Sequence, residues 1–96
     1  MNISKTENGT DLIVQVSGRL DTATASEFEA FMQENLNQTG NLILDCTELA
    51  YISSAGLRVL LSLQKKKANM KLIHVGELIM EVFEMTGFTD ILTIEE

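Results

Sequence analysis

The chain has 96 residues, of which 45% are hydrophobic, and this length supports one compact domain, residues 1–96, with a single core. Its net charge of −7 opposes binding to nucleic acid or to an anionic membrane surface, and no apolar run is long enough to insert across a bilayer. One cysteine and one histidine exclude an internal disulfide and argue against a zinc site, and residues 1–5 lack a secretion signal, so a soluble, cytoplasmic protein is expected.

The first part of the chain predicts a hairpin and then a helix. Strands are predicted at residues 3–6 and 12–16, and Asn8-Gly9 between them suits a tight turn. The second strand is mostly apolar, which predicts that both faces of the sheet are covered. A helical apolar pattern then runs from Thr24 to Leu36. Thr24 and Glu27 match a capping box, and Thr39-Gly40 is a stop signal.

The rest of the chain alternates between strand and helix patterns. Residues 42–44 predict a short buried strand, residues 54–68 a second helix, and residues 71–75 another strand. A third helix is predicted at 77–86, with Gly87 as its C′ residue and an apolar face formed by Leu78, Ile79, Val82 and Phe83. Residues 91–94 predict a last strand. The order ββαβαβαβ predicts an α/β fold, with helices packed against a small mixed sheet.

In such folds, ligand and partner sites collect at the carboxyl ends of the strands, here the loops 20–23, 46–54 and 74–77. Ser53 and Ser54 lie on this edge, where the second helix begins. A helix N-terminus offers free N–H groups and partial positive charge, which favour a bound phosphate. The pattern predicts Ser54 as the N-cap residue, and a kinase acting there would change the surface charge without unfolding the helix.

The motifs give little support to catalysis. His74 is the only histidine, no carboxylate in its motif is placed to orient it, and no Gly-x-Ser-x-Gly elbow or phosphate-binding P-loop is present. Asp45 is expected to accept hydrogen bonds from loop N–H groups, and Cys46 to lie in the core. No catalytic residue, metal ligand or cofactor is therefore assigned.

Four segments carry a recognisable pattern: Gly18-Arg19-Leu20-Asp21, Leu42-Ile43-Leu44-Asp45, residues 51–60 and residues 83–88. Together they resemble the STAS domain, and in particular the bacterial anti-sigma-factor antagonists. The resemblance runs over nearly the whole chain. It implies a regulator that is not an enzyme and that binds an anti-sigma factor with serine kinase activity, which frees a sigma factor. In the family, the kinase phosphorylates the antagonist at the start of the second helix.

The chain departs from the family pattern Asp-Ser-Ser/Thr-Gly-Leu, because a gapless match puts Ser53 at the aspartate and Ala55 at the acceptor. We therefore take Ser54 as the first phosphorylation candidate and Ser53 as the second. Two alternatives stay open: the domain binds its partner without being switched by phosphorylation, or regulation acts at another place. Asp21 either lies beside this loop or caps the first helix, and Arg58 either meets a partner carboxylate or is solvated. The predicted partner-binding set is Asp21, Thr22, Ser53, Ser54, Ala55, Gly56 and Arg58.

Two other functions remain open at this point. A STAS-type accessory subunit of a membrane lipid-transport complex would use the same fold without a phosphorylation cycle, and Ala55 is compatible with that role. A small serine hydrolase would need Ser54 and His74 to meet, and is the less favoured alternative.

Overall fold

The computed structural model describes residues 1–35 and 40–95. The strands are β1 (Asn2–Asn8), β2 (Asp11–Leu20), β3 (Asn41–Ile52), β4 (Met70–Ile73) and β5 (Ile94–Glu95). The helices are α1 (Ala25–Asn35), α2 (Ser54–Lys66) and α3 (Glu77–Thr86), and a 3₁₀ turn follows at Phe88–Asp90. The predicted order ββαβαβαβ is confirmed. The predicted positions Leu36 and Thr39 lie outside the described residues.

Within these ranges the five strands form one sheet in chain order. The hairpin of β1 and β2 is antiparallel, and each later strand pairs with its predecessor in parallel. Right-handed crossovers that all step in one direction place their helices on the same face of a sheet. One core cluster accordingly joins residues of all three helices to alternate residues of β2, namely Leu12, Val14 and Val16.

Within residues 1–35 and 40–95, no helix covers the opposite face of the sheet. Between the buried residues of β2, Ile13 is half-buried and Gln15 is exposed. The prediction that both faces are covered is therefore wrong. The strand is apolar because Ile13 packs among neighbouring strands, and not because a second layer of helices lies over it.

The third strand is much longer than the three residues predicted. It runs to Ile52, and its second half pairs with β2 up to the pair Leu20 and Ile52. Residues 46–52, predicted as a loop, are therefore strand. Two register shifts, between Gln15 and Ser17 and between Gly18 and Arg19, accommodate the extra residues of β3. The polar residues of this half hid the strand from a periodicity argument.

The third helix ends before Gly87 as predicted, but one residue of its predicted buried side is exposed. Gly87 adopts a left-handed φ of 79°, and its N–H bonds the carbonyls of Glu84 and Phe83. Ile79 and Phe83 are buried. Leu78 is 71% exposed, so its predicted place on the buried face is wrong. The second helix ends at Lys66 rather than Ala68, with Lys65 and Lys66 in its last turn.

Candidate functional site

The ends of β2 and β3 project beyond the rest of the sheet. The register of β4 ends with Ile73 opposite Asp45, whereas β2 and β3 remain paired to Leu20 and Ile52. The turn into α1 and the turn into α2 therefore meet at one rim. The backbone N–H of Ser53 donates to the carbonyl of Leu20 at 2.9 Å, which joins the two turns directly.

Asp21 organises the first of these turns. Its Oδ1 accepts hydrogen bonds from the backbone N–H groups of Ala23 at 3.0 Å and Thr24 at 3.2 Å. The Thr24 hydroxyl accepts from the N–H of Asp21 and donates to the carbonyl of Arg19, so it does not cap the helix towards Glu27 as the capping box predicts. Asp21 thus takes the capping role. Thr22 is exposed in the same turn.

The charge of Asp21 is stabilised by these contacts. Desolvation raises the pKa of its carboxyl, but hydrogen bonds from Thr24, Ala23 and Arg19 outweigh it and hold the pKa below its ordinary value. The Nε of Arg19 lies 3.4 Å from Oδ2 of Asp21, and the Arg19 side chain is 63% exposed. This exposed pair contributes little to stability, but it leaves a fixed carboxylate at the rim.

The structure exchanges the expected roles of the two serines. Ser53 is the N-cap residue, with φ −104° and ψ 178°, and Ser54 is the first residue of α2. The prediction of Ser54 as N-cap is wrong, because β3 keeps the backbone extended as far as Ser53. The Ser53 side chain makes no capping bond, and its Oγ is buried without a hydrogen-bond partner among the described residues. Ser54 is exposed.

The first turn of α2 lies tightly against the sheet. Ala55 is half-buried and packs against the core. Gly56 is buried, and a Cβ placed on it would lie 2.9 Å from both Ile52 Cγ1 and the carbonyl oxygen of Leu20. A glycine is therefore what allows the helix to approach the rim. The helix N-terminus carries no acidic residue in its first turn.

Arg58 lies one turn beyond Ser54 on α2 and is exposed. Side chains four residues apart occupy the same side of a helix, so Arg58 and Ser54 share one surface. The structure thus places the predicted residues at one rim, with Ala55 and Gly56 facing inwards as its support.

Sequence reasoning missed a further pair at this rim. The guanidinium carbon of Arg19 lies 4.1 Å above the centroid of the Tyr51 ring, and Tyr51 is 40% exposed. Cation–π stacking fixes the position of both side chains. The signal in the sequence was the continuation of the two strands, which makes Arg19 and Tyr51 cross-strand partners.

His74 belongs to a separate cluster. Its Nδ1 lies 3.2 Å from both Asp45 Oδ1 and Thr47 Oγ1, and its φ is 56°. Asp45 also accepts the backbone N–H of Thr47 at 3.0 Å, as expected. In the strand pairing, the His74 cluster lies beside Gln15 of β2, whereas the rim lies beside Leu20 at the end of the same strand. The strand between Gln15 and Leu20 spans roughly 15 Å, so His74 and Ser54 are far apart. The two residues do not form a nucleophile and base pair, although a carboxylate does reach His74.

The described residues include no group of three or more His, Cys, Asp or Glu side chains that could hold a metal ion. Over the same residues, every helix is too short or too polar to span a membrane. What the rim offers is a fixed carboxylate, an exposed hydroxyl, two arginines and a half-exposed tyrosine. Of these, arginine and tyrosine are residue types enriched in protein interfaces.

The fold and this rim define a small α/β interaction domain. The chain belongs to the STAS domain family, whose model matches residues 2–96. It is 31% identical over 103 residues to an anti-sigma-B factor antagonist of Listeria monocytogenes, covering 99% of this chain and 90% of that one.

Solved structures share the fold. An anti-sigma factor antagonist from Mycobacterium paratuberculosis superposes with a TM-score of 0.89 at 18% identity, over 97% of this chain and 83% of that one. The Bacillus cell fate determinant SpoIIAA in its phosphorylated form gives a TM-score of 0.72 at 14% identity, over 99% and 92% of the two chains. At these identities the likeness concerns the fold.

Proposed function

We propose that this protein is an anti-sigma-factor antagonist that docks on an anti-sigma factor through its rim. The observation that carries the proposal is the Ser53 to Leu20 hydrogen bond, because it joins the two turns into one continuous surface. The similarity to the Listeria antagonist over nearly the full length of both chains supports it. The proposed contact set is Asp21, Thr22, Ser53, Ser54 and Arg58, with Ala55 and Gly56 supporting it from the core side and Arg19 and Tyr51 at its border.

The anti-sigma partner is proposed to be a serine kinase that phosphorylates Ser54. Three features favour Ser54: it is exposed, it is the first residue of a helix, and it shares a helix surface with Arg58. Ser53 is the second candidate, and its buried Oγ argues against it. Ala55, at the position of the usual acceptor, has no hydroxyl.

Phosphorylation would release the partner by changing charge. A phosphate adds about −1.5 to −2 charges at neutral pH, held by the helix N-terminus and Arg58 and not compensated by the partner. It would also occupy the surface where Arg58 meets the partner. Like charge and desolvation across an interface weaken binding by amounts that change occupancy many-fold.

The same proposal makes the chain a single-domain, cytoplasmic regulator without catalysis of its own. The rim needs no nucleophile or base on this chain, and Ser54 lies far from His74. The small hydrolase is therefore not proposed.

A second candidate is an accessory subunit of a membrane transport complex, and Ala55 is the observation that favours it. Such a subunit would bind a cytoplasmic transporter domain through the same rim and would not be phosphorylated. Phosphorylation by the anti-sigma kinase separates the two functions.

The test incubates the full chain with a purified anti-sigma factor kinase and labelled ATP, and detects the phosphate by mass spectrometry. We expect one phosphate, lost in Ser54→Ala and retained in Ser53→Ala. Ser26→Ala is the matched control, because Ser26 is also an exposed residue in the first turn of a helix. Phosphate retained in a Ser53→Ala/Ser54→Ala double variant would refute the assignment, and no phosphate on any form, the parent chain included, would favour the unphosphorylated accessory subunit.

A further inference from the structure

The third helix carries more apolar surface than the core covers. Ile79 and Phe83 are its buried residues. Leu78 and Met85 are 71% and 86% exposed, the highest values among large apolar side chains in residues 1–35 and 40–95. They lie seven residues apart, which places them on one side of the helix, and half-buried Val82 lies between them.

A groove of about 390 Å³ runs along the other side of this helix, between α3 and β5. Its half-buried lining residues are apolar: Val75, Met80 and Ile94. Its exposed lining residues are all glutamates. Three of these, Glu77, Glu81 and Glu84, follow helical spacing and form an acidic stripe between the groove and the Leu78 to Met85 side.

This acidic stripe is not neutralised by the described part of the chain. Lys71 Nζ pairs with Glu95 at 3.1 Å. Glu77, Glu81 and Glu84 form no salt bridge with any described residue. Like charges four residues apart disfavour an isolated helix, so the stripe is maintained at a cost to the helix itself. The carboxylates do not form a metal site within the described residues.

An occupant of this surface must match both of its properties. Apolar side chains flanked by carboxylates are complementary to apolar side chains flanked by lysine or arginine. An anionic membrane is repelled by the stripe, and a second copy of this chain, with its net charge of −7, is repelled as a whole.

We propose that the α3 face, made of the groove, the acidic stripe and the Leu78 to Met85 side, binds a cationic amphipathic segment of a partner protein. This goes beyond antagonist function at the rim. The rim lies at the ends of β2 and β3, whereas the groove of the α3 face is lined by α3, by Val75 and by β5. The two surfaces share no residue.

The test titrates the full chain with a designed helical peptide of about 14 residues, long enough to cover α3, with leucine and lysine at amphipathic spacing. Methyl NMR of the methionines gives the location. We expect the Met80 and Met85 methyl signals to shift, while those of Met32 and Met70, which are fully buried, do not. A peptide of the same composition with scrambled order should bind about tenfold more weakly, because it lacks an apolar face.

Two variants test the two properties of the face. Leu78→Ser/Met85→Ser and Glu81→Lys/Glu84→Lys should each weaken peptide binding by about tenfold, and both keep the fold because the replaced side chains are exposed. Glu7→Lys/Glu27→Lys is the matched control, since it changes net charge equally at exposed residues elsewhere.

Three results would overturn the proposal. One is equal loss of binding in the control pair, which would mean that only net charge matters. Another is equal binding of the scrambled peptide. The third is self-association of the free chain through α3, seen as concentration-dependent sedimentation that the Leu78→Ser/Met85→Ser variant abolishes.

Discussion

Gly56, in the first turn of α2, contacts Leu20, the last residue of β2, so closely that no side chain fits between them. A Cβ on Gly56 would lie 2.8 Å from Leu20 Cγ and 2.9 Å from the Leu20 carbonyl oxygen. The same carbonyl accepts the N–H of Ser53. The Leu20 carbonyl therefore takes part both in the close packing of α2 against β2 and in the hydrogen bond that joins the two turns.

Gly56→Ala should destabilise the fold even though alanine favours helix. The gain in helix propensity is about 1 kcal/mol, whereas overpacking costs about 1–3 kcal/mol, and the contacted carbonyl cannot move away. We expect a net loss of roughly 1 kcal/mol in urea unfolding. Ser26→Ala, at an exposed helix position, shows a smaller gain in helix propensity without the clash. A Gly56→Ala chain as stable as the parent would mean that α2 lies further from the rim.

Asp45→Asn should destabilise the protein at neutral pH but not in acid. Burial raises the pKa of Asp45, but the hydrogen bonds from Thr47, His74 and Gln15 lower it by more than burial raises it. The pKa in the folded state therefore lies below the ordinary value. A depressed folded pKa gives stability that is present above the unfolded pKa and is lost as pH falls through the folded pKa.

We expect a loss of about 1.5 kcal/mol at pH 7 for Asp45→Asn, because a charged acceptor is replaced. The difference from the parent should shrink below about pH 4. Thermal unfolding over pH 3 to 7 measures it, with exposed Asp90→Asn as the control. A difference that stays constant with pH would show that the carboxylate charge is not what these donors stabilise.

The order of elements was predictable from periodicity and turn residues, but the start of α2 was not. Ser53 and Ser54 both suit a helix N-terminus, and the choice between them depends on where β3 ends. The pairing of β3 with β2 past Asp45 decides this, and it is a long-range contact. Both serines lie at the edge where the sequence placed them, while their roles at the start of α2 are exchanged.

The apolar side of α3 shows a second limit of prediction from sequence. Helical spacing identifies Leu78, Ile79, Val82 and Phe83 as one apolar side but does not give the width of the surface that covers it. Here the strand that α3 contacts most is β3, and the two strands beyond it are short, since β4 has four residues and β5 two. That surface covers Ile79 and Phe83 and leaves Leu78 in solvent.

Cys46 should be unreactive in the native protein. It is 1% exposed, and burial, with a smaller contribution from the Asp45 charge, raises its pKa to about 12. Since the thiolate is the reactive form, labelling by a thiol reagent at pH 8 requires opening of the core. The labelling rate should therefore follow the unfolding equilibrium and increase with urea. Fast labelling without denaturant, compared with a free cysteine peptide, would contradict the buried position.

Ser54→Asp should affect stability and partner binding in opposite directions. A carboxylate on the first residue of α2 interacts favourably with the helix N-terminus and with Arg58 four residues on, which should add about 0.3–1 kcal/mol of stability. The same charge lies on the surface proposed to dock on the anti-sigma factor, so binding measured by calorimetry should weaken by about tenfold or more.

The pair of measurements separates a charge switch from damage to the fold. Thr10→Asp is the control, because it places the same charge on an exposed residue of the hairpin turn, at the opposite end of β2 from the rim, and it should leave the affinity unchanged. Arg58→Ala combined with Ser54→Asp should lose part of the stability gain. If Ser54→Asp and the parent chain bind with equal affinity, a charge at Ser54 is not the switch. Weaker binding together with lower stability would indicate only a disturbed helix.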